Sequence, residues 1–392
     1  LLTTGIPLLI LEFGIGHERI GSAPLAFAKI SPKWEVLGWW AVVFVMFGIV
    51  LYYTVIISWC LNYLVFSLFL SWGSDPNGFF FQDFLGLSSG PTEVGTVRGN
   101  ILIGLILVWV MNSVIVYRGV TKGIELANRV FMPLLFVLTM VLVFWSLTLE
   151  GAWTGIRAYL TPDFSALVQP KVWIDAFTQI FFTLSLGFGI MIAYASYLPR
   201  KADIMKSAIY TGFINGGYSI FAGFAVFSIL GYMAVQEQKD ISEVVAQSIG
   251  LAFVAYPKAI SLLPGGAVFG AVFFAALVVA GLSSSISIFE AFTSAAVDKF
   301  GWERKHIVLV ISVFGLFGSL IFTTQAGLFW LDIVDHFITS YGLVIVGLME
   351  ALLVGWLFKI EVLRKHINAA SNWNLGPWWT FLIKFFVPAV LI

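Results

Sequence analysis

An all-α protein that crosses a lipid bilayer many times is the architecture this sequence predicts, and three observations lead there. Hydrophobic residues make up 60% of the 392 residues and charged ones 11%, whereas about a quarter of an ordinary soluble domain is charged. Apolar stretches of roughly 20 residues, enough to cross ~30 Å of hydrocarbon as helix, recur along the chain. The basic residues fall in alternate loops, as expected of loops that stay in the cytoplasm.

The chain opens on LLTTGIPLLILEFGIG, an apolar run that forms a partial crossing. Segments at 38–71, 100–117, 127–149, 173–197, 207–234, 266–294, 307–323 and 329–358 follow as eight full crossings, and PWWTFLIKFFVPAVLI is a second partial one. Arg19, Lys29 and Lys33, then Arg118, Lys122 and Arg129, then Arg200, Lys201 and Lys206, then Lys299, Arg304 and Lys305, then Lys359, Arg364 and Lys365 occupy every second loop. Those loops are therefore cytoplasmic and residue 1 lies toward the outer side. The intervening loops hold only Arg98, Arg157, Lys171, Lys239 and Lys258, and Lys384 lies in the last segment. The chain starts without Met inside an apolar run, so a longer natural protein is expected; no basic stretch of a signal peptide precedes that run. Cys60, the sole cysteine, excludes an internal disulfide.

Three outer loops, 72–98, 150–171 and 235–265, are long enough to fold over the protein. In the last, Ile241, Val244, Val245 and Ile249 recur at helical spacing before a Pro and Gly stop, which predicts a short surface helix, either a lid or a packed loop. No linker or charge block divides the chain, so residues 1–392 form a single domain.

Within the uncharged run 176–199, the stretch FFTLSLGFG places Thr183, Ser185, Gly187 and Gly189 at alternate positions. Non-helical backbone survives at membrane depth only where it lines a cavity, but small residues also let helices pack closely; both readings stay open on the residues alone. In VAGLSSSISIFEAF, Ala280, Ser283, Ser284 and Ser287 share one helix face. Asn215 and Ser219, four apart, share another, with an interhelical hydrogen bond as the plain alternative. Tyr52 and Tyr53 fall mid-membrane, away from the interfaces that Tyr prefers, so their hydroxyls need partners. Such neutral oxygens suit a hard cation. His17, His306, His336 and His366 are too scattered along the chain for a zinc or iron cluster, and no nucleophile elbow, Walker loop or paired-His motif is present. Neither an enzyme nor a nucleic-acid partner is expected.

The strings GIPLLILEFGIG, YYTVIISW, QIFFTLSLGFG with YASY, AGLSSSISIFEAF and INGGYSIFAGFAVFSILGYMA resemble the neurotransmitter:sodium symporter family, most closely its bacterial hydrophobic amino acid transporters of the leucine-transporter-like fold. The likeness runs in order over nearly the whole chain, from part of family helix two to part of helix eleven; the first family helix is absent from this chain. It implies an inverted-repeat five-plus-five helix transporter fold with helix six broken at 181–189, where substrate meets half-helix ends at the bilayer midplane. By the same resemblance, one sodium falls on Thr183 and Asn215 together with the substrate's carboxylate, and a second on the Ala280 carbonyl, Ser283 and Ser284. The substrate pocket falls on Ile49, Tyr53, Phe182, Thr183, Ser185, Phe188, Ser284 and Ile288, an apolar lining that fits a hydrophobic L-amino acid, with Tyr53 on the carboxylate. Tyr53 and Phe182 correspond to a thin outer gate, Asp335 to the acidic half of an outer ion pair and Asp298 to that of an inner one supported by Ser196 and Tyr197, while Glu290 lies on the exit route. Gln179, Asn215 and Ser219 resemble the chloride site of animal members, which leaves chloride dependence open.

The activity implied is sodium-coupled symport by alternating access, with two sodium ions, in a cell membrane such as the bacterial inner membrane. Two alternatives accompany it: a proton-coupled carrier of the same fold with Glu290 or Glu12 as the titrating acid, and a non-transporting regulatory or scaffold subunit.

Overall fold

The structure, a computed structural model, describes residues 1–241 and 248–391. Within them the chain is helical almost throughout. Helix α1 (Gly5–Arg19) and the short α2 (Ala23–Ala28) lead into α3 (Pro32–Ser67), which carries a π turn at Val45–Val50. Then come α4 (Gly99–Tyr117), α5 (Val120–Leu147), α6 (Ala152–Leu160), α7 (Pro170–Thr183), α8 (Ile190–Ser196) and α9 (Ile204–Glu237). The remainder is α10 (Leu251–Leu262), α11 (Gly266–Phe300), α12 (Arg304–Thr323), α13 (Gly327–Phe337), α14 (Leu343–Leu357), α15 (Ile360–Ala369) and α16 (Pro377–Leu391).

Among the described residues six helices are long and apolar enough to cross a membrane, α3, α4, α5, α9, α11 and α12, and up to seven when α14 and α15 count as one bent span. The other two of the eight expected crossings, 173–197 and 329–358, are helical but are not single uninterrupted helices. Segment 173–197 is divided between α7 and α8, and 329–358 is interrupted by π turns at Ile338–Gly342 and Leu353–Leu357. After that the axis bends by 94° into α15.

The basic loops gather at one end. Lys299 pairs with Glu35 at 2.6 Å, Arg304 Nε donates to the Val116 carbonyl at 3.0 Å, Arg200 donates to the His17 carbonyl at 3.0 Å, and Arg19 stacks over Phe358. These contacts tie together the ends of all five loops assigned to the cytoplasm.

At the other end the outer loops are pinned by aromatic rings. Phe80, from loop 72–98, stacks on Phe253 of α10 at 5.2 Å, and the Tyr63 hydroxyl of α3 donates to the Phe253 carbonyl at 3.3 Å. Trp72 Nε1 donates to Ser261 of the same α10 at 2.8 Å. Of the two readings of loop 235–265, the described part is thus a packed structural loop. Val244 and Val245 of the expected surface helix lie outside the described residues. Helix α11 packs against α3, α5 and α8, and its Ser287 is bonded by Tyr194 of α8, just past the α7–α8 break.

Candidate functional site

Helix α7 ends by a hydrogen-bond pattern written in its own sequence. Ser185 N–H donates to Phe182 O at 3.1 Å and Leu186 N–H to Phe181 O at 3.0 Å, the pair of bonds that closes a Schellman end. The left-handed position, normally Gly, is taken by Ser185 at φ 53°, at a cost of about 1 kcal/mol or more for a residue with a Cβ. Gly187 at φ 75° and Gly189 at φ 70° hold the next two left-handed turns before α8 begins. The alternation of small residues is therefore used for backbone, not only for packing.

The freed Gly187 N–H donates to Oε1 of Glu12 on α1 at 2.8 Å. Glu12 is fully buried, as is Glu350 on α14, and neither Glu350 oxygen has a hydrogen-bond partner among the described residues. A Cβ at Gly187 would touch Val346 of α14 at 3.3 Å. The break is thus held between α1 and α14, each carrying a buried carboxyl.

On its other side the break meets α9. Thr183 Oγ1 donates to Asn215 Oδ1 at 3.0 Å, and Asn215 Nδ2 returns a bond to the Thr183 carbonyl at 3.2 Å. Ser219 gives its hydroxyl to the Asn215 carbonyl at 3.0 Å while Gln179 is exposed, so of the chloride trio only Asn215 and Ser219 are joined. On α11, Ser283 Oγ donates to the Ala280 carbonyl at 2.8 Å, and the exposed Ser284 approaches the Tyr53 hydroxyl. Ser287 accepts from Tyr194 of α8 at 2.9 Å. Ser285, between them, turns the opposite way and bonds Asn112 Oδ1 of α4 at 2.9 Å. Ser287 thus meets the broken helix at α8, Ser284 meets α3, and Ser285, outside the stripe, meets α4.

Ile49, Phe188 and Ile288 are buried, and Phe182 is 41% exposed at the rim. The ring that Phe182 packs against is Phe188, at 6.1 Å between centroids. Asp335 accepts from the Tyr52 hydroxyl at 2.5 Å, which supplies the partner that a mid-membrane Tyr52 requires.

At the inner end Asp298 accepts the Ser22 backbone N–H at 2.8 Å, and Ser196 returns its hydroxyl to its own helix at Ala193. Glu290, fully buried, accepts from the Tyr197 hydroxyl at 2.8 Å and from Arg304 Nη1 at 2.9 Å, with Nη2 on its other oxygen. Arg304 is a residue that sequence reasoning missed: it counted only as one more cytoplasmic cation, although its place just past the end of α11 puts it within reach of that helix.

All of these parts occur together in a chain whose whole length, residues 1–77 and 72–392, is matched by the sequence model of the Sodium:neurotransmitter symporter family. The chain belongs to this family. It is 48% identical over 392 residues to an uncharacterized sodium-dependent transporter of Methanocaldococcus jannaschii, covering 100% of this chain and 80% of that protein. It is 30% identical over 430 residues to the human sodium- and chloride-dependent GABA transporter 2, covering 71% of it. With the sodium-dependent dopamine transporter of Caenorhabditis elegans the identity is 29% over 445 residues and the coverage 72%. This symporter-family chain is accordingly a sodium-dependent, multi-pass transporter of a cell membrane and not an enzyme. Its candidate cation ligands are neutral oxygens of hydroxyl, amide and carbonyl type, the chemistry a hard monovalent ion accepts.

Proposed function

We propose that this symporter carries a hydrophobic L-amino acid together with two sodium ions by alternating access. The observation that carries the reading is the reciprocal pair between Thr183 and Asn215 at the end of α7, where the hydroxyl and amide oxygens meet at 3.0 Å and the amide nitrogen meets the Thr183 carbonyl at 3.2 Å, beside an apolar lining. In this reading those oxygens turn from one another to a sodium ion, whose remaining coordination the substrate carboxylate shares. Ala280, Ser283 and Ser284 hold the second ion. Tyr53, next to Ser284, bonds the carboxylate, and Thr183, Ser185 and Ser284 border it. Ile49, Phe182, Phe188 and Ile288 take the side chain; two of the relatives named above are named for GABA and dopamine, and this apolar lining favours a wholly hydrophobic group. Tyr53, Phe182 and Asp335 form the outer gate, and Ser196, Tyr197, Glu290 and Asp298 the inner one.

The test is binding of labelled leucine and tryptophan to the purified full-length protein with and without sodium. Binding is expected only in sodium. Asn215→Ala and Ser283→Ala each weaken sodium affinity by about tenfold or more, the loss of one ion–oxygen contact, comparable in strength to a hydrogen bond to a charged group, and Tyr53→Phe weakens amino acid binding. Equal binding in sodium-free buffer overturns the reading. Exchange of chloride for gluconate decides whether Gln179, Asn215 and Ser219 bind an anion.

A second reading, proton coupling, draws support from one observation. Glu290 is committed to Arg304, but Glu12 is fully buried and bonded to the break at Gly187. Uptake driven by a pH gradient without sodium, and abolished by Glu12→Gln, favours that reading instead.

A further inference from the structure

On the cytoplasmic end, away from the pocket, two imidazoles meet. His17, near the end of α1 and 2% exposed, sets Nδ1 3.0 Å from Nε2 of His366 on α15, a residue 349 positions away. Its other nitrogen, Nε2, lies 3.1 Å from the Pro199 carbonyl, just past the end of α8. A carbonyl oxygen only accepts, so Nε2 of His17 carries the hydrogen and donates. Its Nδ1 is then a lone pair that accepts from Nε2–H of His366. The Arg200 guanidinium adds a bond to the His17 carbonyl at 3.0 Å. The chain leaving α8 thus hangs from His17 by two bonds, and His17 is braced by α15.

We propose that His17 and His366 are positioning residues forming a latch, which holds the inner half-helix α8 closed while both rings are neutral and releases it when the cytoplasmic side is acidified. This rests on the alternating-access reading, in which α8 belongs to the inner gate.

Helix α8 has only seven residues, too few to hold a helix in place by itself, so its contacts decide its position. A proton on His366 goes to its free Nδ1 and leaves the Nε2–H bond to His17 in place, but it sets a positive charge beside Arg200 and Arg19, which repel it. The charges acting on His366 besides His17 are Arg200, from the loop after α8, and Arg19, from α1; Lys359 stands just before α15 on the side of α14. The nearby carboxylates are engaged elsewhere. Glu18 of α1 faces Arg19 at 3.5 Å, Glu361 of α15 holds Arg364 and accepts from Thr380 of α16, and Asp203 before α9 accepts from Lys206 N–H and Asn372. Burial, with His17 and the two arginines beside it, keeps the His366 pKa below the ordinary histidine value.

The sign follows. With the latch open and the ring in water, His366 titrates near its usual pKa of ~6.5. Below that pH the open form takes up a proton that the closed form resists. One such proton shifts the equilibrium toward opening by up to about tenfold per pH unit. Above it the latch is indifferent to pH.

The experiment places a reporter on α8, Ala193→Cys, at a site 1% exposed in the closed form; the native Cys60 is 5% exposed. Inside-out vesicles carrying the full-length protein are treated with a membrane-impermeant methanethiosulfonate, and each rate is normalised to unfolded protein at the same pH. In the parent the labelling rate should rise about tenfold between about pH 7.5 and about pH 5.5, the yield of one linked proton. His366→Gln keeps a neutral hydrogen-bonding group that cannot be protonated, so labelling should stay slow at both pH values. His17→Ala should label fast at both, and if it does not fold His366→Gln carries the test. Sodium at the higher pH is the control for the underlying reading. If sodium slows labelling but His366→Gln keeps the parent's full acid response, or the parent shows none, the latch is wrong and alternating access stands. If sodium changes nothing, the alternating-access reading itself fails.

Discussion

Glu290 is tolerable inside the protein because Arg304 reaches it. A fully buried carboxylate stripped of its cation is left as an uncompensated charge, and breaking such a pair costs about 3–5 kcal/mol. Arg304→Ala should therefore lower the melting temperature clearly in detergent, read by intrinsic fluorescence of the Trp-rich chain. Glu290→Met combined with Arg304→Met removes both charges at once, so the double variant should recover most of the loss; a double variant as unstable as the single one would show that the pair matters for something other than its charge. Ser185 is the opposite case, a residue held at φ 53° against its own preference. Ser185→Gly should raise stability by about 1 kcal/mol by relieving the left-handed strain, while amino acid affinity falls because a hydroxyl leaves the pocket. If affinity is unchanged, Ser185 belongs to the turn alone.

Elements were legible where composition decides them and illegible where packing does. Helices α4, α9 and α11 followed from uninterrupted apolar runs, and the break of α7 from α8 was marked by Thr183, Ser185, Gly187 and Gly189. The residues that hold those elements together gave no such mark, because Thr183 meets Asn215 across 32 positions and Glu12 meets Gly187 across 175. Spacing along one helix predicts a face but not what that face touches. The π turns at Ile338–Gly342 and Leu353–Leu357 were likewise unmarked, since such turns leave the apolar count untouched. One glycine tests the packing directly. A Cβ at Gly16 of α1 would overlap the Ile192 carbonyl of α8, a backbone atom that cannot swing aside. Gly16→Ala should push α8 off α1, costing about 1–3 kcal/mol as overpacking does, and should impair uptake more than Gly301→Ala, where a Cβ meets nothing within 4 Å but the residue has positive φ. Equal effects of the two would place the cost in backbone strain.

At the scale of the molecule, the candidate ion ligands are already satisfied by one another: Thr183 by Asn215, Ser283 by the Ala280 carbonyl. These groups therefore need no ion to be satisfied, and the folded form gains from sodium by mass action. Sodium that binds only the folded form adds RT ln(1 + [Na]/Kd), about 2.7 kcal/mol at a hundredfold excess over Kd. Replacing sodium with potassium at equal ionic strength should therefore lower the melting temperature by several degrees, with no change attributable to screening. The amino acid gives the sharper readout. If its carboxylate completes the coordination of the ion between Thr183 and Asn215, the two ligands must raise one another's affinity by the same factor, because coupling free energy is reciprocal. Leucine should then stabilise the protein in sodium and leave it unmoved in potassium, and Asn215→Ala should abolish the leucine shift while the smaller shift from sodium at the Ala280 and Ser283 site survives. Were leucine to stabilise the protein equally in both salts, the carboxylate and the ion would occupy separate places, and the coupling would have to be sought in the buried carboxyl pair that flanks the break.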